Sequence, residues 1–181
     1  MRFLLLVALL VPAIARAEVK PLETGGFGLD RTVTVAGTSV QVYDMITGDL
    51  TPWWDHTFSE HPKAFYIEPW PGGGFIERFD DQGNGVKHAT VLWAERGKRL
   101  RFEGPLGLSG NAVVFVCTYD LAAQGTDSTK IHFTASLAGK VEKGWAEGVD
   151  QVWGHFLEER LRPYAGTPAA RRRKPWPQPK R

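Results

Sequence analysis

The chain has 181 residues, a formal net charge of +2 and one cysteine. This length suits one domain with a sizeable core, and a single cysteine excludes an internal disulfide, so packing must hold the fold together. Cys117 lies in an apolar stretch, which predicts a small buried hydrophobe and not a nucleophile.

The start of the chain has the layout of a secretory signal peptide. Arg2 supplies the positive charge, an apolar run covers residues 3–14, and small residues at 15 and 17 suit cleavage after Ala17. About a dozen apolar residues are too few to cross ~30 Å of hydrocarbon as a helix. We therefore predict a signal peptide over 1–17 and export to the periplasm or the outside of the cell.

The middle of the chain predicts an α+β domain over 31–166, after an N-terminal extension over 18–30. Alternating residues indicate a first strand over 31–36, and Thr38 or Ser39 can cap a short helix after it. Thr51-Pro52 suits the first turn of a second short helix. Six further strands between glycine-rich turns are predicted over 64–70, 74–79, 86–95, 99–103, 112–121 and 129–138.

A long amphipathic helix is predicted after the strands, over 141–164. Apolar residues recur there at three- and four-residue steps, and Pro163 is expected to end the helix with Gly166 just beyond it. Short connections between the strands favour antiparallel neighbours. The order of elements predicts a curved antiparallel sheet of about seven strands wrapped around this C-terminal helix.

The last segment, 167–181, is rich in proline and arginine and predicts a disordered tail. It carries six basic residues: Arg171, Arg172, Arg173, Lys174, Lys180 and Arg181. Without these charges the rest of the chain is mildly acidic, so we expect no nucleic-acid partner. The tail itself either makes weak contact with an anionic surface or only improves solubility.

Several short sequences in a fixed order carry a resemblance to a known superfamily. They are Val42 to Thr47, the Trp-Trp-Asp sequence at 53–55, Gly73 to Phe75, Trp93 to Phe102, and the closing helix with Trp145. In this order they resemble the START-like superfamily, also called Bet v 1-like, SRPBCC or helix-grip, and its Hsp90 ATPase activator-like branch. The export signal, Trp53 to Thr57, Val86 to His88 and Gly104 to Gly107 resemble an exported subgroup of that branch.

The resemblance implies a cavity between the sheet and the long helix, where many members hold apolar small molecules. Strand and helix periods select the residues that we predict to line it: Phe65, Ile67, Phe75, Glu77, Val91, Trp93, Phe102, Phe115, Cys117, Phe133, Val149, Trp153 and Phe156. His88 alternates with an apolar set and is expected to lie at the periphery.

Few residues indicate chemistry. Glu77 lies among aromatic residues, where a buried carboxyl can act as a general acid or orient a ligand hydroxyl; the alternative is an ion pair with Arg78, Arg101 or Lys87. Glu68 lies in a similar setting. Asp55, His56, Glu60 and His61 are four potential metal ligands, but they lie in a polar loop, so we expect no metal there. The glycines at 72–74 predict a turn and not a phosphate loop.

Three functions remain open at this stage. The favoured hypothesis is an exported monomer without a cofactor that encloses a lipid, a sterol or a polyketide-like molecule. The second, which we consider the weaker hypothesis, is an enzyme of the cyclase or hydratase kind that uses Glu77 with a cavity histidine or tyrosine as acid and base. The third is a protein–protein adaptor, as the activator resemblance suggests, although export separates the chain from a cytosolic chaperone.

Overall fold

The computed structural model describes residues 21–179, so the predicted signal peptide lies outside the described residues. The strands are β1 (Gly25–Ala36), β2 (Gly48–Asp49), β3 (Ala64–Ile67), β4 (Gly74–Arg78), β5 (Gly85–Glu95), β6 (Arg99–Gly104), β7 (Val113–Ala123) and β8 (Ser128–Gly139). The helices are α1 (Ser39–Met45), α2 (Trp145–Gly154), α3 (Arg162–Ala165) and α4 (Pro168–Arg171), with a 3₁₀ helix at Leu106–Leu108 and a π-helical segment at His155–Leu161. Within this range no helix is both long enough and apolar enough to cross a membrane.

The strands form one antiparallel sheet in the order β1-β8-β7-β6-β5-β4-β3-β2. The predicted α+β fold is confirmed, with eight strands where about seven were predicted, because the two-residue β2 pairs with β3. β1 begins at Gly25, inside the predicted N-terminal extension, and pairs with β8 over its whole length. Gly26 explains why the alternation is missing there, since a Cβ at this position would come 2.7 Å from the carbonyl oxygen of Leu137.

The two short helices predicted after β1 have different outcomes. α1 is present, and the Thr38 and Gln41 side chains cap it in a capping box. The second prediction is wrong, because the chain makes only one turn there, in which the Trp53 and Trp54 amides donate to the Leu50 carbonyl. The buried Trp53 indole donates to the Met45 carbonyl (2.9 Å). Burial of this ring, and not a second helix, therefore determines the backbone conformation here.

The long C-terminal helix runs over 145–165 and includes α2, the π-helical segment and α3. It begins later than predicted because Gly144, with φ of 85°, precedes it. The prediction that Pro163 ends the helix is wrong. Proline has no N–H to donate, and the preceding turn is wide, with the Arg162 amide bonded to the Leu157 carbonyl; the helix then ends at Gly166, as predicted.

Aromatic packing and the ion pairs of Arg31 with Asp150 and Glu158 hold this helix over the sheet. The Trp153 ring lies 4.2 Å, between centroids, from Phe133 of β8 and contacts Phe115 and Tyr119 of β7. Arg31 of β1 donates two hydrogen bonds to Asp150 of α2, at 2.9 and 2.7 Å. The helix therefore spans the sheet from its β1 edge.

Residues 167–179, the part of the tail that the structure describes, do not have the disordered form predicted from the composition. Thr167 caps α4, where Ala170 is buried, and the Arg173 guanidinium donates to the backbone carbonyls of residues 44, 47 and 49. Trp176 stacks on Tyr66 with 5.1 Å between ring centroids. Backbone carbonyls at the end of α1 and in the segment through β2 thus give the tail a docking place that a Pro/Arg-rich composition does not reveal.

Candidate functional site

A cavity of about 490 Å³ lies between α2, the loop at 54–58 and the 3₁₀ helix. Its walls are almost wholly apolar, and the polar side chains among them are His56, Thr57 and His88. The Thr57 hydroxyl already donates to the Ser59 carbonyl. The two histidines are therefore the polar groups that such a cavity offers to an occupant.

Six of the residues predicted to line a cavity do so. They are Phe65, Phe75, Phe115, Val149, Trp153 and Phe156. They come from β3, β4, β7 and the long helix, which the regular two- and 3.6-residue periods place correctly. The wall is therefore largely made of rings that face one another across the gap between sheet and helix.

Other predicted residues lie elsewhere. Ile67, Val91, Phe102, Phe133 and Cys117 are buried in the core and do not reach the cavity wall. For Cys117 the prediction of a small buried hydrophobe is confirmed, and burial raises the pKa of its thiol.

Two β-bulges in β5 change the face of the sheet to which its side chains point. Phe75 pairs with Ala89 and Ile76 with Lys87, which leaves His88 as an extra residue. His88 is consequently turned inward and only 6% exposed, so the prediction that it is peripheral is wrong. The second bulge inserts Leu92, so Trp93 leaves the inner face, is 45% exposed and packs against the Arg99 guanidinium.

Glu77 is fully buried and lies directly behind His88. Its Oε2 accepts hydrogen bonds from the Phe58 amide (3.0 Å) and faces His88 Nε2 (3.0 Å), while its Oε1 accepts from the Ser59 amide (2.7 Å). The alternative ion pair with Arg78, Arg101 or Lys87 is not formed. Glu77 thus fixes both the cavity loop and the histidine ring, and His88 alone of the pair reaches the cavity.

Aromatic rings surround His88 on its other sides. Phe58 stacks on it at 5.4 Å between centroids, and Phe65 and Phe75 lie at 5.7 and 5.2 Å. The arrangement is one polar ring, tied to a buried carboxylate, in an otherwise apolar wall. Glu68, the other carboxylate singled out in the sequence, accepts from the Gly74 amide and stabilises the β3–β4 turn.

Solved structures with this arrangement of strands and helices are known. Ara h 8.0201, a Bet v 1-type protein, has a TM-score of 0.54 at 12% identity and covers 78% of this chain and 98% of its own. The Aha1 dimer from Colwellia psychrerythraea scores 0.51 at 16% identity, covering 77% and 96%, and an uncharacterized protein from Rhizobium leguminosarum scores 0.53 at 13%, covering 78% and 98%. The chain has a Bet v 1-like, Aha1-like helix-grip fold. The sequence itself matches no family model and no curated protein.

The helix-grip cavity has further lining residues that sequence reasoning missed: Trp54, Phe58, Leu106, Gly107, Leu108, Gly144, Trp145, Gly148 and Val152. Trp54 is the largest of these, and its ring stacks on Phe156 with 3.9 Å between centroids. The two adjacent tryptophans were the available signal. Neighbouring side chains point in different directions, so when Trp53 fills the core, Trp54 lies outside that position.

A polar cluster lies beside the cavity, and His56 belongs both to this cluster and to the cavity wall. Asp55 is 2.8 Å from His56 Nδ1 and 2.9 Å from His155 Nε2, and His155 Nδ1 is 2.9 Å from Glu159. Hydrogen bonds to Glu159 and Asp55 raise the pKa of His155. Burial acts to raise the pKa of Asp55, but the hydrogen bonds from His155 and His56 outweigh it and lower that pKa. Glu60 and His61, grouped with Asp55 and His56 in the sequence, are not part of this cluster.

Proposed function

We propose that this chain is an exported monomeric helix-grip protein that binds one apolar or amphipathic small molecule, such as a lipid, a sterol or a polyketide-like compound, in the cavity. The observation that supports this proposal is the cavity itself, with about 490 Å³ of space and a wall of aromatic and aliphatic side chains. Small-molecule sites typically have this size range and combine apolar walls with a few polar groups.

His88 provides the polar anchor in this proposal. Its Nε2–H donates to Glu77, so its Nδ1 is the nitrogen that remains, and in the neutral ring it can accept a hydrogen bond from a ligand hydroxyl. Burial of apolar ligand surface supplies the affinity, at about 25 cal/mol per Å². One hydrogen bond at the wall orients the ligand without a large desolvation cost.

Native mass spectrometry tests the proposal. Protein purified from an exporting host and exposed to a crude lipid mixture is expected to carry one apolar molecule per chain, which is released on denaturation. The same spectrum reports the mature mass, and we expect a chain that begins at Glu18. Bare protein after lipid exposure would contradict the binding proposal, and a mass that includes Met1 would contradict export.

The Glu77–His88 pair favours a second candidate, a cyclase or hydratase. In that case His88 is the group that exchanges a proton with the substrate, and Glu77 positions the ring. In the sequence hypothesis Glu77 itself took part in proton transfer, together with a cavity histidine or tyrosine; here His88 is that histidine, and Glu77 lies behind it.

A His88→Phe variant separates the two candidates. Phenylalanine keeps the ring contacts with Phe58 and Phe75 but cannot transfer a proton. For a binding protein we expect the retained molecule to have the same mass in wild type and variant. A mass that differs by one water between the two proteins would instead establish a hydratase or a dehydrating cyclase and identify His88 as its acid–base group.

A further inference from the structure

Three potential metal ligands converge at the edge of the cavity. Asp55 Oδ1 lies 2.8 Å from His56 Nδ1 and 3.1 Å from His155 Nε2. The three ligand atoms all lie within 4.8 Å of one another. Sequence proximity explains only part of this, because His155 comes from the long helix, about a hundred residues further along the chain.

Each member of the trio is held by a further partner. Glu159 accepts a hydrogen bond from His155 Nδ1, which directs Nε2 toward Asp55. A carboxylate in this position is the usual outer partner of a histidine that binds a metal, since it fixes the tautomer and the ring orientation. His155 is also the first residue of the π-helical segment, and such segments often occur at functional sites.

Asp55 and His56 are held as well. Arg160 lies 3.1 Å from Asp55 Oδ2 and also donates to the Trp53 carbonyl. Asp55 Oδ1 faces His56 Nδ1, and His155 Nε2 lies 3.1 Å from Oδ1 and 2.9 Å from Oδ2. The His56 ring packs edge-on against Phe156, with 5.0 Å between centroids. The positive charge of Arg160 opposes a cation to some extent, so we expect a moderate affinity.

We propose that Asp55, His56 and His155 bind one Zn²⁺ or a similar divalent transition metal. Two imidazoles and one carboxylate are a ligand set that zinc accepts, with a fourth position left to water or to another ligand. Zinc bonds of about 2.0–2.1 Å separate tetrahedral ligand atoms by about 3.3 Å. The observed 2.8 and 3.1 Å separations therefore need to open by a few tenths of an ångström. The two histidine nitrogens, which lie within 4.8 Å of each other, need to reach the same separation.

Metal titration of the untagged mature chain tests this inference, because a histidine tag would itself bind the metal. Chelator-treated protein is titrated with Zn²⁺ against a chromophoric chelator, and Co²⁺ is used as a spectroscopic probe. We expect one equivalent per chain, with intense visible Co²⁺ absorption from a four-coordinate site. Asp55→Asn, His56→Gln and His155→Gln are each expected to weaken binding at least tenfold, and Glu159→Gln about 10- to 100-fold.

His132→Gln is the matched control. His132 also pairs with an aspartate, Asp30, at 2.9 Å, but does not belong to the trio. Its substitution is expected to leave Zn²⁺ affinity unchanged. More than half of the His56 side chain is exposed, so we expect His56→Gln to fold normally, which thermal unfolding verifies.

Zn²⁺ binding that is as tight in His56→Gln and His155→Gln as in wild type would overturn the proposal, and so would an equal loss in His132→Gln or the absence of a one-equivalent complex. Retention of an apolar molecule is measured separately, in the presence of chelator. Failure of the metal site therefore leaves the proposed ligand-binding function standing, and the reverse also holds.

Discussion

Gly148→Trp is expected to abolish the binding of an apolar probe in the cavity. Gly148 lies in α2 on the cavity wall, and a Cβ there would meet no atom within 4 Å, so there is open space where the tryptophan side chain begins. An indole covers about 150–250 Å². Excluding even the lower value of ligand surface costs about 4 kcal/mol, or roughly a thousandfold in affinity.

Gly148→Ala is the matched control for this variant. Alanine also removes the unfavourable helix propensity of glycine, which is about 1 kcal/mol, but it adds only one methyl group to the cavity. Fluorescence titration with an apolar probe is expected to show wild-type affinity for Gly148→Ala and none for Gly148→Trp, with neither variant less stable than wild type. Equal probe binding by both variants would show that the probe binds outside this cavity.

Replacing Glu77 is expected to give the largest loss of stability among single polar substitutions in this region. Its two carboxylate oxygens accept from the Phe58 and Ser59 amides, one each. An amide can replace only one of these acceptors, so Glu77→Gln is expected to cost about 1–3 kcal/mol. Glu77→Leu removes both acceptors and the partner of His88, and we expect a cost on the order of 4 kcal/mol.

Urea unfolding measures both effects, and Glu68→Gln provides the control. Glu68 accepts only the Gly74 amide, through one oxygen, and a glutamine carbonyl can replace it. We therefore expect Glu68→Gln to change the free energy of unfolding by less than about 1 kcal/mol. A Glu77→Gln protein as stable as Glu68→Gln would contradict the role of the carboxylate in holding the loop.

Glu77 thereby connects stability to the cavity. The loop that it holds contains Phe58, whose ring stacks on His88 and lines the cavity wall. A buried carboxylate among apolar side chains is costly unless its acceptors are satisfied. Here two amides and one imidazole satisfy them, and the result is a fixed wall and a fixed histidine.

The elements of the fold could be predicted because most of them follow regular periods. The long helix shows a 3.6-residue apolar repeat, and β7 and β8 alternate with period two, so Phe115 and Trp153 were placed correctly. Pro163 misled the prediction of the helix end because a wide turn before it compensates for the missing amide. Such a turn depends on packing and leaves no local signal.

The errors at the site come from the two bulges in β5. An inserted residue reverses the side on which every later residue lies, so His88 and Trp93 exchanged their predicted environments. One signal was assigned to a turn, because the predicted strand ended at 103: Gly104 belongs to β6 and has no room for a Cβ beside the His88 carbonyl. A glycine within a strand pattern indicates such a close approach of two backbones.

The partners of Glu77 and Arg173 had no signal of this kind. Both side chains bind backbone groups that lie far away in the sequence, at 58–59 and at 44–49, and every residue type except proline offers the same amides and carbonyls. Only the tertiary structure determines which of them is within reach.

A crystal structure of the protein with its retained molecule is the most direct test of the proposed function. We expect electron density for one apolar molecule between α2 and the sheet, in contact with Trp54, Phe115 and Trp153 and with any polar group close to His88. A cavity closed by collapse of these rings, or a molecule bound on the outer face of the sheet beside Trp93, would contradict the proposal.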